Sequence, residues 1–413
     1  MGLPLAYRLG SGYVVARKSA RPCGGFAAWV WPNGHCCPSL SLRAFGPAKR
    51  QNCIFSSQVI MEKKSLARII RISLLIVFLG AIAALGAAYY YYQIIFGPSL
   101  PKEKEQITLY LKEAPSLDQL ADSLSQKNWL KDKSNFVWVG EKMKFKTKAG
   151  RYVLEDTLSS YYQLFAQLRK GQSPVRFTFN NLRLPQQLAG LLGQELAYDS
   201  LAYWEAMQKA DFMAQNQLNP QTLMTLFIPN TYELYWNISP EEFVDRMKKE
   251  HHKFWESNNR LALADSLGLS PAEVYTLASI VDAESNYGPE KARIAGVYLN
   301  RLKSKSWKLE ADPTVVFAQG DFSIRRVSRD MLKTDSPYNT YKYAGLPPGP
   351  IRMASRQAID AVLKAEKHNY WFFCAKPPEE GQPAQHAFAR NSAEHGRNAR
   401  TYQHWLNQQK IYR

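Results

Sequence analysis

The sequence predicts an α+β protein with a single N-terminal transmembrane helix, a small α+β module, and a mainly helical α+β domain. A run without any charged residue extends from 72 to 92. Short alternating strands and capped helices follow between residues 105 and 215. From residue 216 to residue 413 helical periodicity dominates, and a few loops interrupt it. These patterns set the expected domain boundaries.

The composition indicates a folded protein with an anionic partner. Hydrophobic residues make up 46% of the 413 residues and charged residues 21%, which excludes a disordered chain, a collagen or a disulfide miniprotein. Lys and Arg number 53 against 35 Asp and Glu, a formal charge of +18. Nucleic acid, acidic lipid and an acidic polymer are the partner classes that such a charge favours.

Residues 1–60 differ from the rest of the chain. They contain no acidic residue and are rich in Gly, Pro, Ser and Arg, without a persistent helical or strand period. We interpret them as an atypical, mostly disordered extension or a misassigned start, with Met61 as the true first residue. A targeting peptide is one alternative. A metal site is another, which adjacent cysteines and the lack of a second C-x-x-C pair disfavour; its ligands would be Cys23, His35, Cys36 and Cys37.

The uncharged run at 72–92 predicts a transmembrane helix. At about 1.5 Å per residue, 21 residues span roughly 30 Å, the thickness of a bilayer core. The basic segment 61–71 precedes the run, so the positive-inside rule places that side in the cytoplasm. A buried soluble helix and a cleaved signal peptide are the alternatives. The run ends in tyrosines at 89–92, which suit a membrane interface and offer no small-x-small cleavage site.

The remaining chain is therefore expected outside the cytoplasm, after a linker at 93–104. Beyond residue 60 it has a single cysteine, Cys374, so it cannot form an intrachain disulfide and must be stabilised by packing. The predicted strands of the small module are 107–111, 150–154 and 175–179, and its predicted helices are 116–124, 136–143, 156–170 and 184–196. A long helix is expected at 240–267. Loops are expected at 309–314, 336–351 and 377–385.

One carboxylate lies where a general acid would be expected. The capping box at 270–273, with proline at the first helical position, starts a helix that ends near Glu284. Glu284 follows Leu277 and Val281 at helical spacing and so shares their apolar face, whereas Asp282 points to the opposite side. Desolvation favours the protonated form that a general acid needs. The alternative is a glutamate that only hydrogen-bonds a nearby loop.

Several motifs in register resemble the YceG-like endolytic murein transglycosylase family, over about residues 61–413. They are LASIVDAE at 277–284, NRL at 300–302, DPTV at 312–315, YNTY at 338–341 and GLPPGPI at 345–351, with FIPNTY at 227–232 and H-x-F at 386–388. The chain departs from the family at Asp282, where glutamate is usual, at Asn230, where aspartate is frequent, and at Glu310, where glutamine is common. We assign Asp282 no essential role. The family offers no precedent for residues 1–60.

The resemblance implies a single-pass bacterial inner-membrane protein with a cytoplasmic N-terminus. Its LysM-like α+β region would occupy 105–215 and its periplasmic catalytic domain 216–413. The implied activity cleaves the MurNAc–GlcNAc β-1,4 bond within peptidoglycan glycan strands, leaving 1,6-anhydroMurNAc ends and terminating glycan elongation. Glycan strands, inner-membrane lipid and peptidoglycan synthases are the implied partners, without nucleic acid, cofactor or metal. The alternative is a membrane-anchored, non-catalytic peptidoglycan-binding protein.

The resemblance places the general acid and base at Glu284. Residues expected to bind substrate carry hydroxyls, amides, a carboxylate or aromatic rings suited to N-acetyl sugars: Ser285, Asn300, Asp312, Tyr338, Asn339 and Tyr341. Ser285 would orient the carboxylate, or else bond a helix carbonyl. Tyr338 and Tyr341 are alternatively core residues. His386 is interpreted as a hydrogen-bonded structural histidine, with catalytic support as the alternative.

Overall fold

The structure is a computed structural model that describes residues 47–304, 306–324, 326–379 and 383–409. The targeting-peptide and metal-site alternatives and most of the predicted disorder concern residues 1–46, outside the described residues. The chain divides into two compact units at residues 84 and 85. The described residues of the first unit, 47–84, are helical.

Helix α1 (Pro47–Phe96) contains the predicted span. Its segment Ser65–Phe96 is long and apolar enough to cross a membrane, and none of its most apolar window is buried. The prediction of disorder is wrong for residues 47–60, which are helical. No proline or glycine interrupts the chain between 48 and 79, so the helix can extend N-terminally from the apolar segment without a new nucleation step.

The second unit opens with a small α+β module. Strand β1 (Ile107–Leu111) pairs antiparallel with β2 (Gly150–Leu154), which confirms both predicted strands. Helices α2 (Leu117–Gln126), α3 (Lys133–Lys142) and α4 (Tyr161–Arg169) complete it. Helix α4 begins five residues later than predicted, because the Ser160 side chain caps it by accepting the Gln163 N–H. The module has its own core, which includes the fully buried Trp129 and Phe165.

The next elements form a second core across the predicted boundary at 215 and 216. Strand β3 (Val175–Phe179) pairs antiparallel with β4 (Asn230–Leu234). Helices α5 (Pro185–Glu195), α6 (Ser200–Gln208) and α7 (Ala210–Gln215) lie between these strands in the chain. Phe177, Tyr203 and Phe243 share one hydrophobic core. Residues 175–215 thus bury their apolar side chains against elements on the far side of the predicted boundary.

The predicted helix at 240–267 is broken in two. Helix α8 (Pro240–Glu256) and helix α9 (Arg260–Leu267) flank Asn258 and Asn259, whose φ angles of 56° and 59° are left-handed. Asparagine tolerates this conformation better than most residues. Arg260 fixes the break from inside: it is 2% exposed, pairs with Asp360 and bonds the Phe254 carbonyl at 2.9 Å.

A third core surrounds α10 (Pro271–Glu284), whose residues 274–281 are all buried. The predicted capping box at its start is confirmed. Around it lie α11 (Gly288–Lys303), α12 (Asp312–Gln319), α13 (Arg356–Leu363), the antiparallel pair β5 (Phe372–Ala375) and β6 (His386–Ala389), and α14 (Ser392–Gln408). The predicted loop at 309–314 ends early, because α12 already starts at Asp312.

Candidate active site

Glu284 is the last residue of α10 and is half-buried. The helix is anchored at its start. Ser270 and Glu273 cap its start reciprocally. The buried Tyr275 hydroxyl donates to the Phe227 carbonyl at 2.9 Å. A buried, capped helix holds its terminal carboxylate in one place, as a reacting group requires.

The Glu284 carboxyl group is poised to exchange a proton near neutral pH. Burial raises the pKa of Glu284 to about 7. The hydroxyl of Tyr298, which donates to Glu284 Oε1 at 2.7 Å, opposes this rise because it stabilises the charged form. The negative charge of Asp312 also raises the pKa of Glu284, whereas the positive charge of Arg301 lowers it. The predicted apolar setting of Glu284 is thus present, with one strong hydrogen bond that the sequence did not predict.

Glu284 faces a cleft of about 280 Å³. The cleft is lined by apolar side chains, two carboxylates and two guanidinium groups: Arg183, Ala283, Glu284, Asp312, Pro313, Val316, Phe317, Ile324, Val327, Ile351 and Arg352. These residues come from a loop before α5, the end of α10, helix α12 and the segments after α12 and before α13. Five separate segments thus form one cleft around a single proton donor.

Two of the predicted substrate-binding residues lie at this site. Asp312 lines the cleft, and the Tyr341 hydroxyl donates to its carboxylate at 2.6 Å. Burial and this hydrogen bond raise the pKa of Tyr341, so the phenol remains a donor. The loop that carries Tyr341 is fixed because the backbone N–H of Tyr341 donates to Asn339 Oδ1 at 3.0 Å.

The amides of Asn300 and Asn339 bind backbone and leave no donor for substrate. Asn300 Nδ2 donates to the carbonyls of His368 and Tyr370, at 2.9 and 3.0 Å. Asn339 is fully buried, and its Nδ2 donates to two carbonyls in the preceding turn, at 2.9 and 2.8 Å. The side-chain donors of both residues are thus engaged within the protein, and their contact with substrate stays a prediction. Buried amides must satisfy their donors, and irregular loops offer unpaired carbonyls.

Ser285 and Tyr338 contact residues other than Glu284. Ser285 is 5% exposed; its hydroxyl contacts Glu290 Oε2 at 3.4 Å and accepts the Tyr287 N–H at 3.0 Å. These contacts are to Glu290 and Tyr287, and the role of Ser285 in orienting Glu284 stays a prediction. The Tyr338 ring packs on Phe317, at 4.7 Å between centroids, and lines a neighbouring cavity of about 480 Å³.

His386 has the contacts of a structural residue. The backbone N–H of His386 donates to Glu290 Oε1 at 2.6 Å, and the ring atom Nδ1 lies 3.0 Å from Glu290 Oε2. Glu290 thereby ties β6 to α11 and to Ser285. These contacts agree with the interpretation of His386 as a hydrogen-bonded structural histidine. Among the described residues, no group of three or more His, Cys, Asp or Glu is arranged to hold a metal ion.

Asp282 bonds to Lys291 and Ser355 and has a structural role. Its carboxylate pairs with Lys291, and both side chains are nearly buried, at 10% and 7% exposed. It also accepts the Ser355 N–H at 3.1 Å and the Ser355 hydroxyl at 2.9 Å. Asp282 therefore joins α10, α11 and the segment that precedes α13.

Sequence reasoning missed Tyr298, Arg183 and Arg352. Tyr298 has a local signal: it lies three residues before Arg301 and four after Ile294, on the buried face of α11. Arg183 and Arg352 lie in irregular segments far apart in the chain. No periodicity links them, so only the tertiary structure brings them to one cleft.

Comparison with known proteins identifies the family. Residues 109–401 match the YceG-like family. The endolytic murein transglycosylase of Bacillus subtilis is 26% identical over 71% of this chain and 85% of its own. That of Streptococcus pneumoniae strain D39 is 27% identical over 78% of this chain, which spans 63% of the relative's length. A crystal structure of a yceG-like protein from Listeria monocytogenes aligns at a TM-score of 0.47 and 25% identity, over 71% of this chain and 99% of that one. The chain belongs to the YceG-like family.

Proposed function

We propose that the protein is an endolytic lytic transglycosylase of peptidoglycan. The main support is Glu284, a carboxyl group whose pKa burial raises to about 7 and which faces an open cleft. A group with this pKa can donate a proton and accept one back at the same pH. The relatives named endolytic murein transglycosylase support the same reaction.

In the proposed reaction, Glu284 donates its proton to the glycosidic oxygen between N-acetylmuramic acid and N-acetylglucosamine. The bond from that oxygen to the muramyl anomeric carbon breaks. The Glu284 carboxylate then takes the proton of the muramyl 6-hydroxyl, whose oxygen bonds to the same carbon and closes a 1,6-anhydro ring. No water is consumed, and Glu284 ends protonated. One residue serves as acid and base because the nucleophile belongs to the substrate.

Asp312 lies where its carboxylate can stabilise the positive charge that develops in this reaction. The transition state resembles an oxocarbenium ion, and a carboxylate in a low-dielectric cleft stabilises positive charge. Asp312 lines the cleft, and its charge acts on Glu284. Tyr341 holds the Asp312 carboxylate through its hydrogen bond. We therefore assign Asp312 to electrostatic stabilisation and Tyr341 to its positioning.

Release of anhydromuramyl products from purified sacculi tests the proposed function. The expected result is glycan fragments whose new ends carry 1,6-anhydroMurNAc, produced internally within strands. Binding to sacculi without any new anhydro ends would favour the non-catalytic peptidoglycan-binding protein. Reducing ends with normal muramic acid would indicate hydrolysis instead.

Tyr298→Phe should move the pH profile to higher pH. The lost hydrogen bond stabilises the ionised Glu284, so its loss raises the pKa of Glu284 further above 7. The enzyme needs protonated Glu284 to start, and kcat/KM therefore falls above that pKa. We expect the alkaline limb of kcat/KM for anhydromuramyl release to shift upward. Exposed Tyr235→Phe is the matched control and should leave the limb in place. A downward shift or no shift in Tyr298→Phe would contradict this prediction.

We further propose that α1 anchors the chain in the bacterial inner membrane, with the LysM-like module and the catalytic domain in the periplasm. The apolar segment and the basic residues before it support this topology. The separate cores of the described residues support a small module close to residues 100–170 and a second folded region from about 175. Membrane lipid and peptidoglycan synthases are the proposed partners.

A reporter fused after Arg413 tests the topology. A reporter enzyme that functions only outside the cytoplasm should be active in this fusion, because the proposed single span leaves the C-terminus outside the cytoplasm. A reporter that works only in the cytoplasm should be inactive. The reverse pattern would overturn the topology without affecting the proposed reaction.

A further inference from the structure

Two arginines that line the Glu284 cleft stand next to one another. Arg183 lies in the loop between β3 and α5, and Arg352 in the segment before α13. The Met353 N–H donates to the Leu182 carbonyl at 2.7 Å, so their backbones run side by side. Burial lowers the pKa of Arg352, Asp282 opposes this effect, and Arg183 adds to it. The two guanidinium groups therefore act on each other as like charges.

The segment that carries Arg352 is fixed to the helix that carries Glu284. The Ile351 N–H donates to Ser279 Oγ at 3.1 Å, and the Ser355 N–H donates to Asp282 Oδ2 at 3.1 Å. Both acceptors belong to α10. These bonds flank Arg352 and hold its backbone at a constant position relative to the proposed general acid.

Arg183 is also held in place. The backbone N–H of Arg183 donates to Gln187 Oε1 at 2.8 Å. Its guanidinium lies 4.4 Å from the centre of the Phe322 ring, a cation–π contact. Such stacking orients the planar group and leaves its edge donors available.

Neither guanidinium has an anionic partner in the described parts of the chain. Arg352 Nε is buried without a hydrogen-bond acceptor, and no ion pair there involves Arg183 or Arg352. The nearby Asp282 is already engaged by Lys291 and Ser355. Half-buried like charges with unused donors are unfavourable unless a ligand supplies the missing acceptor. Paired guanidiniums favour a carboxylate or a phosphate, because their planar donors match two oxygens at once.

We propose that Arg183 and Arg352 bind a carboxylate of the peptidoglycan stem peptide and so make the enzyme selective for peptide-bearing strands. This inference rests on the proposed function. In peptide-bearing strands the lactyl carboxyl group of each muramyl residue is taken up in the amide bond to its stem, so the sugar chain is uncharged and the stem peptides carry the carboxylates. Each stem is attached to the lactyl group of a muramyl residue. A muramyl residue that reacts at Glu284 therefore carries its peptide into the same cleft, where these arginines lie.

Three soluble glycan substrates test this inference: strands with native stem peptides, the same strands with stem carboxylates converted to amides, and strands whose stems have been removed. Wild-type kcat/KM for anhydromuramyl release should be highest for the native substrate. In Arg352→Gln and Arg183→Gln the ratio of native to amidated kcat/KM should fall by about 10–100-fold, the usual effect of a charged hydrogen bond. Arg352→Lys keeps the charge without the planar fork and should give an intermediate ratio.

The exposed Arg176→Gln is the matched control and should keep the wild-type ratio, with thermal melting to confirm that every variant is folded. Equal wild-type rates on native and amidated strands, or an unchanged ratio in Arg183→Gln and Arg352→Gln, would overturn the carboxylate site and leave the proposed function intact. No anhydromuramyl product from any of the three substrates with the wild type would instead overturn the proposed function.

Discussion

Glu284→Gln should abolish almost all anhydromuramyl release while the protein stays folded. Glutamine keeps the size and polarity of the side chain and can still accept the Tyr298 hydrogen bond at its amide oxygen. It cannot donate a carboxylic proton. General acid–base catalysis contributes about 10²–10⁴-fold, and here both roles fall on one residue. We therefore expect a loss of about 10⁴-fold, measured as anhydromuramyl ends released from purified sacculi.

Stability gives a second, independent readout of Glu284→Gln. An unfolded glutamate has a pKa of about 4.3, whereas the pKa of Glu284 in the folded protein is about 7. Its contribution to stability is therefore fully present below the unfolded value and is lost as the pH rises through 7. Glutamine does not ionise, so the variant should melt at or above the wild-type temperature at pH 8. The exposed Glu233→Gln is the matched control for both measurements. A folded Glu284→Gln protein with near wild-type rate would contradict the assignment.

Asp282→Asn should destabilise the protein strongly. The change leaves the Lys291 ammonium buried without its anionic partner. Removing one member of a buried ion pair typically costs about 3–5 kcal/mol in the free energy of unfolding. Asparagine can keep only part of the bonding to Ser355. We expect a marked fall in melting temperature, with the catalytic rate of the folded fraction affected far less than in Glu284→Gln.

The exposed Asp265→Asn on α9 is the matched control for the buried change and should melt like the wild type. Lys291→Met offers a second test from the other side of the pair, because it leaves the Asp282 carboxylate buried without its cation. Both disruptions should lower the melting temperature. A wild-type melting temperature in both Asp282→Asn and Lys291→Met would show that the pair is not a structural link between α10 and α11.

The local elements of the fold could be predicted from sequence where short-range physics decides them. Strands β1, β2 and β3 have the predicted bounds because alternation and flanking turn residues are local signals. The start of α10 follows from its capping box. The break at Asn258 and Asn259 was missed because asparagine signals a turn only weakly inside a helical pattern. The pairing of β3 with β4 across the predicted domain boundary was missed because β4 lies some fifty residues further along the chain.

The features of the candidate site also divide into those that the sequence predicts and those that only long-range packing decides. By itself, the sequence determined that Glu284 ends an amphipathic, capped helix on its apolar face, and its motifs indicated the family and the proposed reaction. Only the tertiary structure decided which polar groups face Glu284 and which form hydrogen bonds within the protein. Asn300, Asn339 and Ser285 carry suitable functional groups, but buried donors must find acceptors, and the nearest ones are carbonyls and Glu290. Tyr298, Arg183 and Arg352 reach the cleft through long-range packing, which no local pattern encodes.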